Sequence, residues 1–521
     1  MLRAQSDATT EAKSPAPVTA TAPAVSSSSG ADQSYNVRAF GALGDGKNLD
    51  SPAINRAIDA CAQAGGGTVY VPPGTYLCGS IRVKSNIHLR IDAGATILGA
   101  PQEMNAYDPA EPFAGTAYQD GGHTYFHNSL IWGEDLTNVW ITGLGMINGG
   151  GLTRSDKEVG KGPIGLGDKA IALRRCRNVL IRDITIFHGG HFAIIVLGCD
   201  NMTIDNVTID TNRDGLDLDC CRNTTVSNCR INSPTDDGLC PKSSYGLGEA
   251  RATENMTIVN CQVSGFEEGT LLDGRMLPSR LRTGRIKFGT ESNGGFRNIT
   301  VANCTFRQCR GLALEEVDGG ILENIAIENI TMMDVADYPI YIRLGRRNRG
   351  PAGTKVGTVR NVFISNVIAT GIDAKSGVQI LGLPGYDIEG VRLQNIRLQF
   401  NGGGTKEDAK RVPPELETGY PEPRRSGVMP TYGLFARHVR DLEIADFHVS
   451  YDKEDLRPPA AFNDVDGLEI DNFNAQMAKG VPAARFDGVD GLVIRNSPVL
   501  DGLTARRRQR SGTPAPEEKG D

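Results

Sequence analysis

The six-residue pattern N-x-x-[IV]-x-[ND] returns along most of this chain and limits what it can fold into. It opens at 138, 178, 201, 223, 255, 298, 324, 361, 390, 441, 467 and 491, with Gly or Asp sometimes standing for the first Asn. Clear copies begin at Asn201, Asn223 and Asn255 and end at Asn206, Asn228 and Asn260. The shortest steps are 22, 23, 24 and 26 residues; longer ones (32, 37, 43, 51) read as the same unit with a loop inserted. Apolar residues alternate within a unit, as at Val207 and Ile209 or Ile325 and Ile327, which is strand rather than helix periodicity. Short strands at a fixed period imply an all-β chain, a right-handed parallel β-helix with one coil per unit. Asn at the sixth position (Asn206, Asn228, Asn260, Asn303, Asn329, Asn366, Asn395, Asn472, Asn496) is expected to form a structural ladder at a turn, amide on amide.

Composition agrees with one elongated domain. The 521 residues include 63 Gly and are 39% hydrophobic but only 6% aromatic, which suits many turns around a thin aliphatic core. A net charge of −7 argues against a nucleic-acid partner, and no apolar run reaches the length of a membrane span. The expected state is a monomer. Of the eleven cysteines, Cys229, Cys261 and Cys304 each follow a ladder Asn and should stack in the core as small hydrophobes. There is neither zinc spacing nor a clear disulfide framework.

The expected division is a disordered Ala/Ser/Thr/Pro-rich leader over 1–33, a single β-helix over 34–503 and a disordered tail over 504–521. The opening ten residues lack the basic start and apolar stretch of a signal peptide. Within 36–100, Ser51 as N-cap and Pro52 in the first turn open a helix to about Ala64. Its apolar face is Ala53, Ile54, Ala57, Ile58 and Cys61, and it should plug the open end of the solenoid.

Thirteen residues past the opening Asn of successive repeats stand His191, Asp214, Asp236 and Glu268. Equal offsets stack along one wall, roughly 4.8 Å per coil. Like charges at that spacing push pKa values apart, and one site thereby obtains both an acid and a base. Asp236, between two other acids, is the candidate for the raised carboxyl. Adjacent Asp236 and Asp237 would face opposite ways on a regular strand, so both can serve only if the chain bends there. Arg285 and Lys287 share a strand face and could clamp a carboxylate. His123, His127, His438 and Tyr432 fall in loops, and Asp217 and Asp219 should face turns.

The segment from Val37 to Gly46, with Gly65-Gly66-Gly67 and the strand-turn ending at Tyr76, resembles the pectin-degrading β-helix superfamily. The centre resembles glycoside hydrolase family 28. The family's N-T-D motif appears as Asn212-Arg213-Asp214, its D-D motif as Asp236-Asp237 with Lys242 at the matching spacing, and its R-I-K motif as Arg285-Ile286-Lys287. The resemblance covers roughly 36–500 and implies inverting hydrolysis of galacturonate-containing polysaccharide, without metal or cofactor, in a secreted or periplasmic setting. It implies Asp236 as general acid, with Asp214 and Asp237 holding the water, the acid and base standing roughly 6.5–9.5 Å apart. Arg285, Lys287, Lys242, Arg213, His191 and Glu268 are the expected substrate-binding residues.

The chain departs from the pattern in two places. The family's G-H-G histidine falls near Glu267-Glu268, where Glu268 should lie in the cleft within one coil of Asp236. Its substrate-binding tyrosine falls near Arg310-Gly311, and Tyr420 to Tyr432 lie in an added loop. Insertions at 102–128, 152–170, 271–297 and 399–430 should wall the cleft. Two alternatives stay open: a lyase on the same fold, using a base and Ca²⁺, and a non-catalytic carbohydrate-binding or adhesion solenoid.

Overall fold

The computed structural model describes residues 34–112, 118–119, 121–153 and 168–503. The expected leader and tail, and parts of the first two insertions, lie outside the described residues. From Ser34 onward the chain winds as a right-handed parallel β-helix. Each early coil contributes three strands, and strand stacks on strand in parallel register; Arg177–Arg182, Asp200–Asp205 and Arg222–Ser227 form one such stack. The inward alternate residues build one continuous aliphatic core from Val37 to Leu500. Burying that stripe is the main driving force for each coil, which could not bury it alone. All eleven cysteines lie buried as thiols.

The Asn ladder forms, and it is double. Sixth-position amides bond from Asn260 through Asn303, Asn329 and Asn366 to Asn395 at 2.8–3.3 Å. Asn206, Asn228, Asn472 and Asn496 depart from this, donating to Asp183, Asp205, Asp446 and Asp471. The opening Asn residues build a second ladder from Asn86 to Asn361. Both rows sit in the left-handed region (Asn298 φ 55°, Asn329 φ 56°), which Asn tolerates better than other residues with a Cβ. The repeated Asn is therefore a backbone requirement as well as a hydrogen-bonding one.

The capping helix runs Ser51–Gln63 and buries Ala53, Ile54, Ala57, Ile58 and Cys61. Asp50, not Ser51, holds the cap position, and it makes no side-chain capping bond. Its carboxylate instead accepts from the Leu43 and Gly44 amides, while Ser51 Oγ accepts from Gly79 N.

One face of the solenoid carries Asp214 and its neighbours. Its six parallel strands are Ile81–Arg82, Ile131–Glu134, Lys169–Arg174, Phe192–Leu197, Asp214–Asp219 and Leu239–Lys242. The stack continues through Ile286 beside Leu239 and then Arg310–Glu316, paired with Lys287–Phe288.

Candidate active site

The acidic wall exists, but its register is one residue away from the fixed offset. Phe192 pairs with Asp214, and Leu216 pairs with Leu239, so Asp237 stands over Asp214. The two columns are thus Phe192–Asp214–Asp237 and His191–Arg213–Asp236. The slip arises at the corner before this face. Asp210 and Asn232 are in register, whereas Leu216 and Leu239 follow them by unequal lengths, because the second coil carries an extra residue in a bend. That bend, over 234–238, is what lets both members of the Asp-Asp pair serve. Gly284 N and Ser233 Oγ donate to Asp236 O, and Asp237 N donates to both Asp214 Oδ1 and Asp236 Oδ1 at 3.1 Å.

Each carboxylate offers an oxygen within 4.8 Å of the other two, closer than the expected inverting separation. Their surroundings differ sharply. Asp236 keeps 34% of its side chain open and receives Arg213 Nε at 3.3 Å, while Arg213 Nη1 lies 2.6 Å from His191 Nδ1. Asp237 is buried. Arg285 Nε reaches its Oδ1 at 2.6 Å and Lys287 Nζ its Oδ2 at 3.0 Å. Burial alone would raise the Asp237 carboxyl, but Arg285, then Lys287 and Lys242, outweigh it and hold it well below the usual carboxylate range. Asp214 is pushed well above that range by burial first, then by Asp236 and Asp217, against the pull of Lys242. Burial, which the spacing of the acids in the sequence does not report, is the first cause of the raised Asp214 carboxyl.

The expected cationic clamp is turned inward. Arg285 and Lys287 do share a face, as their spacing requires, yet both are 2% exposed and point to Asp237. Arg285 also donates to Tyr338 Oη. Lys242, expected at the substrate, is buried among Asp217 at 3.2 Å, Glu291 at 3.5 Å and Asp214 at 3.7 Å. Burial works against its ammonium, but Asp217 above all keeps it charged. The sequence missed this inversion because two cations on one strand face look alike whether that face meets solvent or a buried anion.

Glu268 does not stand over Asp236, because the segment that pairs with Leu239 enters at Ile286. Past Ser264 the chain folds back along the helix, the Leu271 and Leu272 amides bonding Asp210 Oδ2 and Glu268 Oε1 lying 3.1 Å from His188 Nδ1. The fixed offset fails there because Glu268 belongs to this insertion, not to a coil. Asp217 and Asp219 do not face turns; both are fully buried in the strand Asp214–Asp219. Asp219 binds His123 at 2.8 Å and Ser244 Oγ at 2.5 Å, so His123, in a loop as expected, is nonetheless buried. Burial, opposed by Lys242, raises Asp217 to about 6. Tyr432 is core, and His438 is held by Asp464 and Glu415.

Two residues of the added loop arrive unannounced by any repeat. Tyr420 Oη meets Thr290 Oγ1 at 2.9 Å and Lys287 Nζ at 3.2 Å, while 42% of the residue stays open. Glu422 lies against Arg310 at 3.0 Å and Arg285 at 3.6 Å. The three central aspartates have the spacing to hold a cation. The site nevertheless carries its own cations, since both oxygens of Asp237 are engaged by Arg285 and Lys287.

Comparison with known proteins agrees with this architecture. Residues 34–239 match the family described as rhamnogalacturonase A/epimerase, pectate lyase-like, and residues 287–418 match glycosyl hydrolases family 28. A probable polygalacturonase of Vitis vinifera is 29% identical over 232 residues, 42% of this chain and 47% of that protein, so the match spans about half the relative's length. An exopolygalacturonase of Platanus acerifolia is 25% identical over 393 residues, 71% of this chain and 91% of that one. The crystal structure of a hyperthermoactive exopolygalacturonase from Thermotoga maritima superposes with a TM-score of 0.58 at 24% identity, covering 71% of this chain and 88% of the other. The chain is thus similar to glycoside hydrolase family 28 over 287–418 and to the pectate lyase-like family over 34–239.

Proposed function

We propose that this protein hydrolyses glycosidic bonds in pectic, galacturonate-containing polysaccharides or oligosaccharides, with inversion. The observation that carries the reading is the trio of carboxylates at the 234–238 bend, one open and two buried, each in a different electrostatic setting. Asp236, the open member, donates the proton to the leaving oxygen. Asp237, fixed as an anion by Arg285 and Lys287, and Asp214, hydrogen-bonded to the Asp237 amide, hold the attacking water. Arg213, bridging His191 and Asp236, keeps the acid oriented.

A second assignment has one observation behind it. Asp214 is the carboxyl whose surroundings favour the protonated form, and it would be the acid if the leaving oxygen could reach it at 5% exposure. The pH–rate profile of the Asp214→Asn variant separates the two. Under the first assignment that variant keeps the basic limb set by the acid; under the second that limb disappears.

The class of reaction is tested by incubating the protein with oligogalacturonides and rhamnogalacturonan fragments. New reducing ends, unaffected by chelator and without ultraviolet-absorbing product, are expected. An unsaturated product whose formation stops with chelator would mean a lyase. Binding without cleavage, unchanged in Asp236→Asn, would mean a carbohydrate-binding solenoid. No described helix is long and apolar enough to cross a membrane, and the proposed substrate goes with a secreted or periplasmic setting.

A further inference from the structure

Three cationic side chains, Arg285, Lys287 and Arg310, stand on the Asp237 side of the site, and each already meets an anion of the protein. Asp237 takes Arg285 and Lys287; Asp337 takes Arg310 Nε at 3.1 Å. What remains is the seat between the guanidinium groups of Arg285, whose Nη1 also donates to Tyr338 Oη, and Arg310, the place a ligand carboxylate would take. Glu422 Oε1 is in it, 3.0 Å from Arg310 Nη1 and 3.6 Å from Arg285 Nη1. Glu422 comes from 420–426, just beyond the segment that matches family 28.

Its backbone is pinned. Pro421 and Pro423 flank it and are both buried, and proline fixes its own φ and restricts the residue before it. Tyr420, two residues earlier, is tied by its hydroxyl to Thr290 and Lys287. Withdrawing Glu422 would require moving buried chain on both sides. The side chain is 13% exposed, and despite burial the Arg285 and Arg310 charges keep its carboxyl below the usual range.

We propose that Glu422 is a specificity-determining residue: it permanently fills the anion seat between Arg285 and Arg310, so the sugar bound there is neutral and a uronate carboxylate is excluded. This rests on the pectic hydrolase reading and narrows it to a pectic chain that presents a neutral or esterified residue at one subsite. An arriving carboxylate meets a like charge already standing between the two guanidinium groups. A neutral ring meets no such repulsion.

The test is calorimetric, at neutral pH, with the full chain carrying Asp236→Asn to stop turnover. The ligands are trigalacturonate and its fully methyl-esterified form. With Glu422 in place the ester should bind about tenfold or more tighter than the acid. Glu422→Gln, which keeps both prolines and the side-chain length, should shrink that ratio about tenfold by strengthening acid binding. Glu422→Ala should move it the same way and serves if the Gln variant misfolds. Equal affinity, tighter binding of the acid, or no binding of either ligand by the Glu422 protein overturns the inference. So does an unchanged ratio in both folded variants, which would make Glu422 structural only. Ester-selective binding by a chain that, with Asp236 restored, cleaves no pectic oligosaccharide would instead overturn the hydrolase reading and leave the seat assignment standing.

Discussion

The Asn-ladder corners and the acid-bearing corner are built from the same coils, and they differ in what they tolerate. At the ladders one residue type recurs, each amide bonds the next coil, and the φ angles of Asn255, Asn298, Asn324 and Asn361 stay within 55–57°. At the acid corner the number of residues changes by one between coils, the chain bends over 234–238, and loops from far along the sequence arrive. Uniform repetition supplies the frame. Departure from repetition supplies the chemistry, because stacked identical carboxylates would only repel, whereas an offset places Asp236, Asp237 and Asp214 in three unlike settings.

That contrast can be broken by substitution. The largest expected effect is at the open carboxylate: Asp236→Asn should lower kcat by about 10³-fold with Tm unchanged, measured on pectic oligosaccharides and by thermal denaturation. A large loss of Tm would mean that Asp236 belongs to the frame. Asp237→Asn should cost both activity and fold, since it leaves Arg285 and Lys287 buried without their anion; about 3–5 kcal/mol of stability is expected in chemical denaturation. The sign with pH follows from its lowered carboxyl. The stability Asp237 contributes is present above the unfolded carboxylate pKa of about 3.9 and is lost as pH falls toward its folded value.

A ladder residue should behave in the opposite way. Asn329→Ala removes amide bonds to Asn303 and Asn366 and places a Cβ residue without a helpful side chain at φ 56°. It should cost about 1–2 kcal/mol of stability and leave kcat and KM alone. Altered kinetics would show that the corners are coupled. Asp214→Asn should change stability modestly, and with inverted sign. Because the folded chain raises the Asp214 carboxyl, wild type carries a penalty that is absent below the unfolded pKa and grows as pH rises toward the folded value. The Asn variant should therefore melt a few degrees higher at neutral pH and equally at acid pH, although its activity falls.

Legibility in the sequence divides along the same line. The ladders, the core and the capping helix could be read, because alternation and a fixed Asn position record strand register directly. The first-position ladder went unread although its Asn residues were in plain view, since the need for φ > 0 leaves no mark beyond residue choice. The acid column was read one residue out of step, because a residue added at a corner disturbs no apolar pattern. Glu268 was misplaced for the same reason: an offset counted across an insertion is no longer a position on a coil. Arg285 and Lys287 were found as a pair, but not their buried partner Asp237. Tyr420 reaches Lys287 across 133 residues of sequence, and no local period can report such a contact.

The central claim is that the three unlike carboxylates at the 234–238 bend cleave a glycosidic bond by direct attack of water. The most direct measurement is a proton NMR time course of a pectic oligosaccharide, an esterified one among the substrates, with wild-type protein and with Asp236→Asn. The account predicts that the first-formed reducing end carries the inverted anomeric configuration and equilibrates only later by mutarotation, with the variant nearly silent. A first product of retained configuration, an unsaturated product, or a variant that turns over like wild type would contradict it.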